Sequence, residues 1–159
     1  MLFYQKKYLL IIFYLVLSFF LTISFVGIEN IYFNEVDWLL GSGDKSNAQN
    51  GWTFFKNDQW HFPLGKNPNY GLDISTSIIF SDSIPLFAFI FKIFKNFLGV
   101  SFQYFSLWIL LCFFLQLYLS YLIIFKCTKN TFFSIFSSFI FLIAPILIYR
   151  ISFHISLGG

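Results

Sequence analysis

The sequence predicts an all-α integral membrane protein with three transmembrane helices, at about 8–28, 101–125 and 131–149, and a large external loop. Of its 159 residues, 58% are hydrophobic and 11% are charged, against roughly 25% charged residues in soluble domains. Each of the three ranges lacks charged residues and can cross a hydrocarbon core of about 30 Å. This composition excludes an ordinary soluble domain and a disordered chain. The predicted partner is the lipid bilayer, and a net charge of +3 without a basic block predicts no nucleic-acid partner.

The first helix, 8–28, follows Lys6 and Lys7, as a secretory signal would. Its apolar stretch is longer than the 7–15 residues usual for a signal, and no small-residue cleavage site follows. We therefore expect an uncleaved membrane anchor.

The second and third helices, 101–125 and 131–149, are separated by a short turn that carries Lys126 and Lys129. All seven acidic residues of the chain lie between the first two apolar ranges. Because Lys6 and Lys7 favour a cytoplasmic N-terminus, loop 29–100 is predicted to face the periplasm or the cell exterior.

Segment 84–98 can either cross the membrane or lie along its surface, and the two placements give different topologies. Its apolar core, 84–91, is short for a span, and it lies between Asp82 and Lys92. If the segment crossed the membrane, Lys126 and Lys129 would lie outside, and the lysine count slightly favours that version. The spacing of Lys92, Lys95 and Asn96 instead favours a helix along the membrane surface, with the lysines reaching the lipid headgroups.

The external loop is long enough to carry function, and its glycines and prolines predict ordered turns. Its aromatic side chains fit either a belt at the headgroup level or a stacking platform for a sugar or lipid. They are Trp38, Trp52, Phe54, Phe55, Trp60, Phe62 and Tyr70.

A spaced set of loop motifs resembles an uncharacterised bacterial family of polytopic membrane proteins, which is itself similar to the GT-C glycosyltransferases. The most specific motifs are W-H-F-P-L-G at 60–65 and S-D-S-I-P-L at 81–86. The others are Gly43-Asp44, Gly51-Trp52, Phe54-Phe55, Asn67-Pro68, Tyr70-Gly71, Ser77-Ile78, 102–105 and Leu107-Trp108. The resemblance implies a first transmembrane helix, a large external loop with interfacial helices, and an acidic active-site residue near the start of that loop. It favours the surface placement of 84–98 and implies the bacterial inner membrane as the location.

The resemblance also implies the site residues. Asp44 is the expected catalytic carboxylate, because glycosyl transfer needs a base to accept the acceptor proton; Glu35 and Asp37 are its alternates. No paired acid stands beside Asp44, where Lys45 follows, so no cofactor and no metal ligand are assigned, and a divalent metal stays open. The expected substrate-binding residues are Trp52, Trp60, His61, Asp82, Arg150 and His154.

Each of these residues also has a simpler interpretation. Asp44 fits a turn. Asp82 precedes Ser83-Ile84-Pro85, a pattern that predicts helix capping. Arg150 and His154, four residues apart, would share one face of a continuing helix, either as phosphate-binding groups or as an interfacial anchor.

The sequence contains no nucleotide-binding, nucleophile-elbow or zinc-ligand motif. The expected function is a membrane glycosyltransferase that takes a sugar from a polyprenyl-phosphate-linked donor on the outer face and transfers it to a glycan or other envelope acceptor. The alternative is a non-catalytic membrane subunit of an envelope-polysaccharide assembly or export system. We expect residues 1–159 to be a single N-terminal fragment of the membrane domain.

Overall fold

A computed structural model describes residues 2–41 and 43–158. The prediction of a mostly helical chain is confirmed: six α-helices and several short 3-10 turns accompany one small hairpin. The helices are α1 (Leu2–Val26), α2 (Asp44–Asn57), α3 (Pro85–Ile93), α4 (Phe105–Thr128), α5 (Thr131–Leu142) and α6 (Pro145–Phe153). The hairpin pairs β1 (Lys66–Asn67) antiparallel to β2 (Thr76–Ser77).

Within the described part of the chain, two helices are long and apolar enough to cross a membrane: Tyr8–Val26, within α1, and α4. Helix α1 ends two residues before the predicted boundary, where Gly27 takes a φ of +89° that favours glycine. Helix α4 begins at Phe105 and ends at Thr128, a shift toward the C-terminus from the predicted 101–125.

The predicted continuous helix at 131–149 is wrong, because α5 and α6 meet at an angle of 46°. Pro145 has no amide hydrogen to donate, and its ring disfavours a helical conformation of the preceding residue. Ala144 accordingly has extended backbone angles, with φ −54° and ψ 119°. The pair can form a third span only as a broken helix.

Helix α5 runs back along α4, and the turn after α6 contacts the start of α4. Near the end of α4, Thr128 Oγ1 lies 3.3 Å from Ser134 Oγ. At the middle, Gln116 Nε2 donates to the carbonyl of Phe141 at 3.4 Å. Near its start, Trp108 Nε1 donates to the carbonyl of Ile155 at 2.9 Å. The residues after α6 therefore return to the end of α4 that adjoins the long loop.

The long loop folds around α2 and contributes to the hydrophobic core. Trp52 is fully buried, donates its indole N–H to the carbonyl of Phe102 at 2.8 Å, and meets Tyr104 edge-on at 5.0 Å. Phe55, Ile78 and other apolar groups complete the core. The loop thus has a packed interior that fixes the position of both ends of α2.

Helix α3, with nine residues, is too short to cross a hydrocarbon core of about 30 Å. Its exposed apolar side chains are Leu86, Ile90 and Ile93, while Ala88 and Lys92 are buried. This spacing gives an apolar outer face that suits contact with lipid.

Candidate functional site

Three of the residues expected in the site meet at one point. Asp44, Asp82 and His154 offer ligand atoms that all lie within 4.8 Å of one another. His154 Nδ1 lies 2.6 Å from Asp44 Oδ2, with both side chains about two-fifths exposed. We call these three residues the Asp–His cluster.

Helix α2 positions the first member of the cluster. Asp44 is the first residue of α2, preceded by Gly43 at φ +83°, so its interpretation as a turn residue is wrong. A carboxylate in the first turn is favoured by the positive end of the helix dipole. The Asp44 side chain also borders a cavity of about 330 Å³ that is lined by Trp38, Lys45, Ser152 and Phe153, among others. Asp44 is therefore accessible from this cavity.

The second member is held by hydrogen bonds on either side of it. Ser81 Oγ lies 2.8 Å from Ser83 Oγ, and Ser83 Oγ donates to the carbonyl of Ala48 on α2 at 2.6 Å. The hydroxyl of Tyr104 donates to the carbonyl of Ser83. These bonds attach the 81–83 segment, and with it Asp82, to the side of α2.

The predicted capping role of Asp82 is wrong. The residue preceding α3 is Ile84, which has φ +50° and makes no side-chain cap. Asp82 itself lies in a left-handed turn with φ +53°, and its Oδ1 accepts a hydrogen bond from Ser156 Oγ at 3.2 Å. The Asp82 carboxylate thus points toward Ser156, in the segment after α6, and does not cap α3.

The third member comes from the segment after α6. Helix α6 ends at Phe153, and His154 has non-helical angles, so the expected shared helical face of Arg150 and His154 is wrong. Trp108 anchors the neighbouring Ile155 carbonyl, which fixes His154 beside α2. Arg150 is exposed on the last turn of α6.

The other expected binding residues lie elsewhere. Trp52 is a core residue, as described above, and does not reach the surface. Trp60 is 46% exposed and stacks on Phe89 with ring centroids 6.2 Å apart. His61 Nε2 lies 3.1 Å from Asp58 Oδ2. The alternates Glu35 and Asp37 are exposed and do not belong to the Asp–His cluster.

Lys92 does not extend to the surface as expected but is 1% exposed. Its Nζ lies 3.8 Å from the ring centre of Phe55 and 4.8 Å from that of Trp60. It donates to the carbonyl of Gln59 at 3.1 Å. Burial lowers the pKa of Lys92 to about 8, although the nearby Asp58 carboxylate acts in the opposite direction.

The Asp–His cluster can serve two kinds of chemistry. A carboxylate that is oriented by an imidazole N–H can accept a proton from a hydroxyl group. Two carboxylate oxygens and one imidazole nitrogen are also a donor set suited to a divalent cation, although no metal ligand was expected from the sequence. The positioning roles of Ser156 and Trp108, which hold Asp82 and the segment of His154, were not predicted, because no local pattern relates these residues to the loop.

Comparison with known proteins gives a family but no activity. No curated protein and no solved structure matches the chain. Residues 15–159 match the family described as Domain of unknown function (DUF6311). The match covers nearly the entire chain, including α2, the long loop and the Asp–His cluster, and the chain therefore belongs to this family.

Proposed function

We propose that this chain forms the active-site part of a GT-C-like glycosyltransferase in the bacterial inner membrane. It transfers a sugar from a polyprenyl-phosphate-linked donor to an envelope acceptor on the outer face of that membrane. The observation that carries this proposal is the meeting of Asp44, Asp82 and His154 within 4.8 Å. These residues come from α2, the loop before α3 and the segment after α6.

The reaction that fits this cluster is a displacement at the anomeric carbon. An acceptor hydroxyl oxygen attacks that carbon, the bond from the carbon to the donor phosphate oxygen breaks, and its electron pair leaves with the lipid phosphate. The hydroxyl proton passes to the Asp44 carboxylate. His154, whose Nδ1 lies 2.6 Å from Asp44 Oδ2, orients the carboxylate. The hydroxyl of Ser156 holds Asp82 in place.

The donor is proposed to approach from the cavity beside Asp44. That cavity lies between the start of α2 and the end of α6, where Ser152 and Phe153 line it. Arg150 precedes these residues, and a guanidinium suits bidentate binding of a phosphate. If a divalent cation takes part, Asp44, Asp82 and His154 would hold it, and it would supply positive charge next to the leaving phosphate.

The test measures sugar transfer in membrane vesicles that contain the full-length protein. Vesicles are supplied with polyprenyl-phosphate-linked hexoses and pentoses, and released polyprenyl phosphate is quantified with and without EDTA. We expect Asp44→Asn to lower the rate by about a hundredfold or more, because the base is lost. His154→Ala is expected to have a smaller effect, since the carboxylate remains but is no longer oriented.

The matched control is Asp73→Asn, which removes an exposed carboxylate of the same loop and should leave transfer unchanged. Expression of each variant is checked by immunoblotting. Normal transfer by Asp44→Asn at normal expression would contradict the enzymatic proposal, and the alternative of a non-catalytic assembly or export subunit would replace it.

A further inference from the structure

We propose that a groove along α2 binds the acceptor and that the acceptor is a neutral, uncharged saccharide. This inference rests on the proposed function, because it names the substrate class of the same site. The groove consists of two adjoining cavities of about 560 and 710 Å³ that share Phe54 and Asn69. Each volume lies within the range typical of small-molecule sites.

One end of the groove lies near the Asp–His cluster along the chain. Asn47, at one end of the groove, follows Asp44 by three residues on α2, a rise of about 4.5 Å. Residues at this spacing lie on the same side of a helix. Phe80, also in the lining, precedes Asp82 by two residues. A ligand that fills the groove therefore ends near the carboxylate proposed to accept the proton.

Aromatic faces and uncharged polar groups line the groove. Phe54 is 45% exposed and Phe80 is 79% exposed, and the ring of Tyr70 lies 5.4 Å from that of Phe54. The Tyr70 hydroxyl donates to Asn47 Oδ1. Because this bond uses only the amide oxygen, the Asn47 amide hydrogens can donate to a ligand. Asn69 and Thr76 add a further amide and a hydroxyl. Such groups match the apolar C–H faces and the hydroxyls of a sugar.

The charge of the lining excludes other ligand classes. Among the residues that the structure describes, the linings of the two cavities contain no lysine, arginine or histidine, and their one acidic residue is Asp58. That carboxylate is already engaged by the Gln59 amide at 2.7 Å and by His61 at 3.1 Å. The cationic groups next to Asp58 are already engaged, because His61 contacts its carboxylate and Lys95 donates to its carbonyl at 3.0 Å, so the lining offers no free cation to a phosphorylated or acidic ligand. Lipid chains would leave the amides without partners. The adjoining hairpin, with two residues per strand, offers too short an edge for peptide strand addition.

The experiment titrates the full-length protein in lipid nanodiscs with defined trisaccharides, followed by saturation-transfer NMR. The neutral probes are the trimers of glucose, mannose and N-acetylglucosamine, and the charged probe is the galacturonic acid trimer. We expect at least one neutral probe to bind and the charged probe to bind more weakly. Phe54→Ala and Asn69→Ala should each weaken neutral binding by about tenfold, as expected for the loss of roughly 1.4 kcal/mol.

The matched controls are Phe97→Ala and Asn96→Ala, which remove an exposed ring and an exposed amide outside the two cavities. Both should bind as the unaltered protein does. The inference would be overturned if no neutral trisaccharide bound, if the charged trimer bound best, or if the control variants lost as much affinity as the groove variants. Binding in detergent that disappears in nanodiscs would show that lipid covers the groove, which would equally overturn it.

Asp44→Asn separates this inference from the proposed function. If transfer is lost while trisaccharide binding remains, both stand. If transfer is unaffected and binding still depends on Phe54 and Asn69, the groove is a saccharide site but the catalytic proposal fails. If transfer is lost and no neutral probe binds, the catalytic proposal stands and the acceptor inference fails.

Discussion

Lys92 joins three parts of the external loop through one buried ammonium group. It extends from α3 to the rings of Phe55 and Trp60 and to the Gln59 carbonyl. Cation–π contacts of this kind strengthen when they are shielded from water. The W-H-F segment after α2 is therefore fixed to α3, and Trp60 helps to enclose the buried Lys92 side chain.

The buried position of Lys92 predicts a pH dependence of stability. Its pKa is about 8 in the folded chain and about 10.4 in an unfolded one. Unfolding therefore takes up a proton between about pH 8 and 10, so the free energy of unfolding rises with pH across this window. We expect the melting temperature of the unaltered protein, relative to that of Lys92→Met, to increase between about pH 7.5 and 9.5.

Thermal unfolding in one detergent, at several pH values, checks this expectation. Lys66→Met is the control, because it removes one positive charge at an exposed position. For each variant, the measured quantity is the melting temperature of the unaltered protein minus that of the variant. If this difference changed with pH no more for Lys92→Met than for Lys66→Met, the account of Lys92 would be wrong.

The packing of the 81–83 segment against α2 depends on a single glycine. A Cβ atom at Gly51 would overlap the Ser81 side chain and lie 2.8 Å from Ser83 Oγ. Gly51 also offers its carbonyl to Asn67 Nδ2 at 3.0 Å. Close contact at this position thus fixes two loop segments to α2, one of which carries Asp82.

Gly51→Ala is expected to destabilise the protein by about 1–3 kcal/mol, the usual cost of an added methyl group in a packed interior. It should also reduce sugar transfer, because Asp82 moves away from Asp44. Gly41→Ala is the matched control, since a Cβ there meets nothing within 4 Å. Melting temperatures of the two variants provide the measurement, and equal values would contradict this account of the contact.

Local sequence rules predicted some elements and failed at others for identifiable reasons. The uncharged apolar ranges predicted the apolar part of α1, Tyr8–Val26, and α4 to within a few residues. The prediction for 131–149 passed over Pro145, although proline favours the first turn of a helix and so indicates the break before α6. At 82–85 the capping pattern failed because the Ser83 hydroxyl bonds to the Ala48 carbonyl on α2, a distant contact that outweighs the local preference. Asp44, Asp82 and His154 could be nominated individually, but their convergence depends on the return of α5 and α6 along α4.

The contact between Asp44 and His154 constrains how α4, α5 and α6 can lie in a membrane. Helix α4, with 24 residues, extends about 36 Å from the loop to the turn at Lys129. Helices α5 and α6, with 12 and nine residues, together extend about 30 Å. They end beside α2 and the start of α4, so the bent pair covers the distance that one membrane crossing requires.

Accessibility of cysteine side chains tests this path. We expect loop 29–100 and the segment after α6 to share the outer side, and the turn after α4, which contains Lys126 and Lys129, to face the cytoplasm. The native Cys127 is exposed and Cys112 is buried. In intact cells a membrane-impermeant maleimide should leave Cys127 unlabelled, and permeabilisation should expose it.

The other two positions are tested in a Cys127→Ser background, which by itself reports any labelling of Cys112. In this background, Asp73→Cys and Leu157→Cys should both be labelled without permeabilisation. A Leu157→Cys variant that labels only after permeabilisation, with Asp73→Cys labelled from outside, would contradict a broken third span and separate His154 from Asp44.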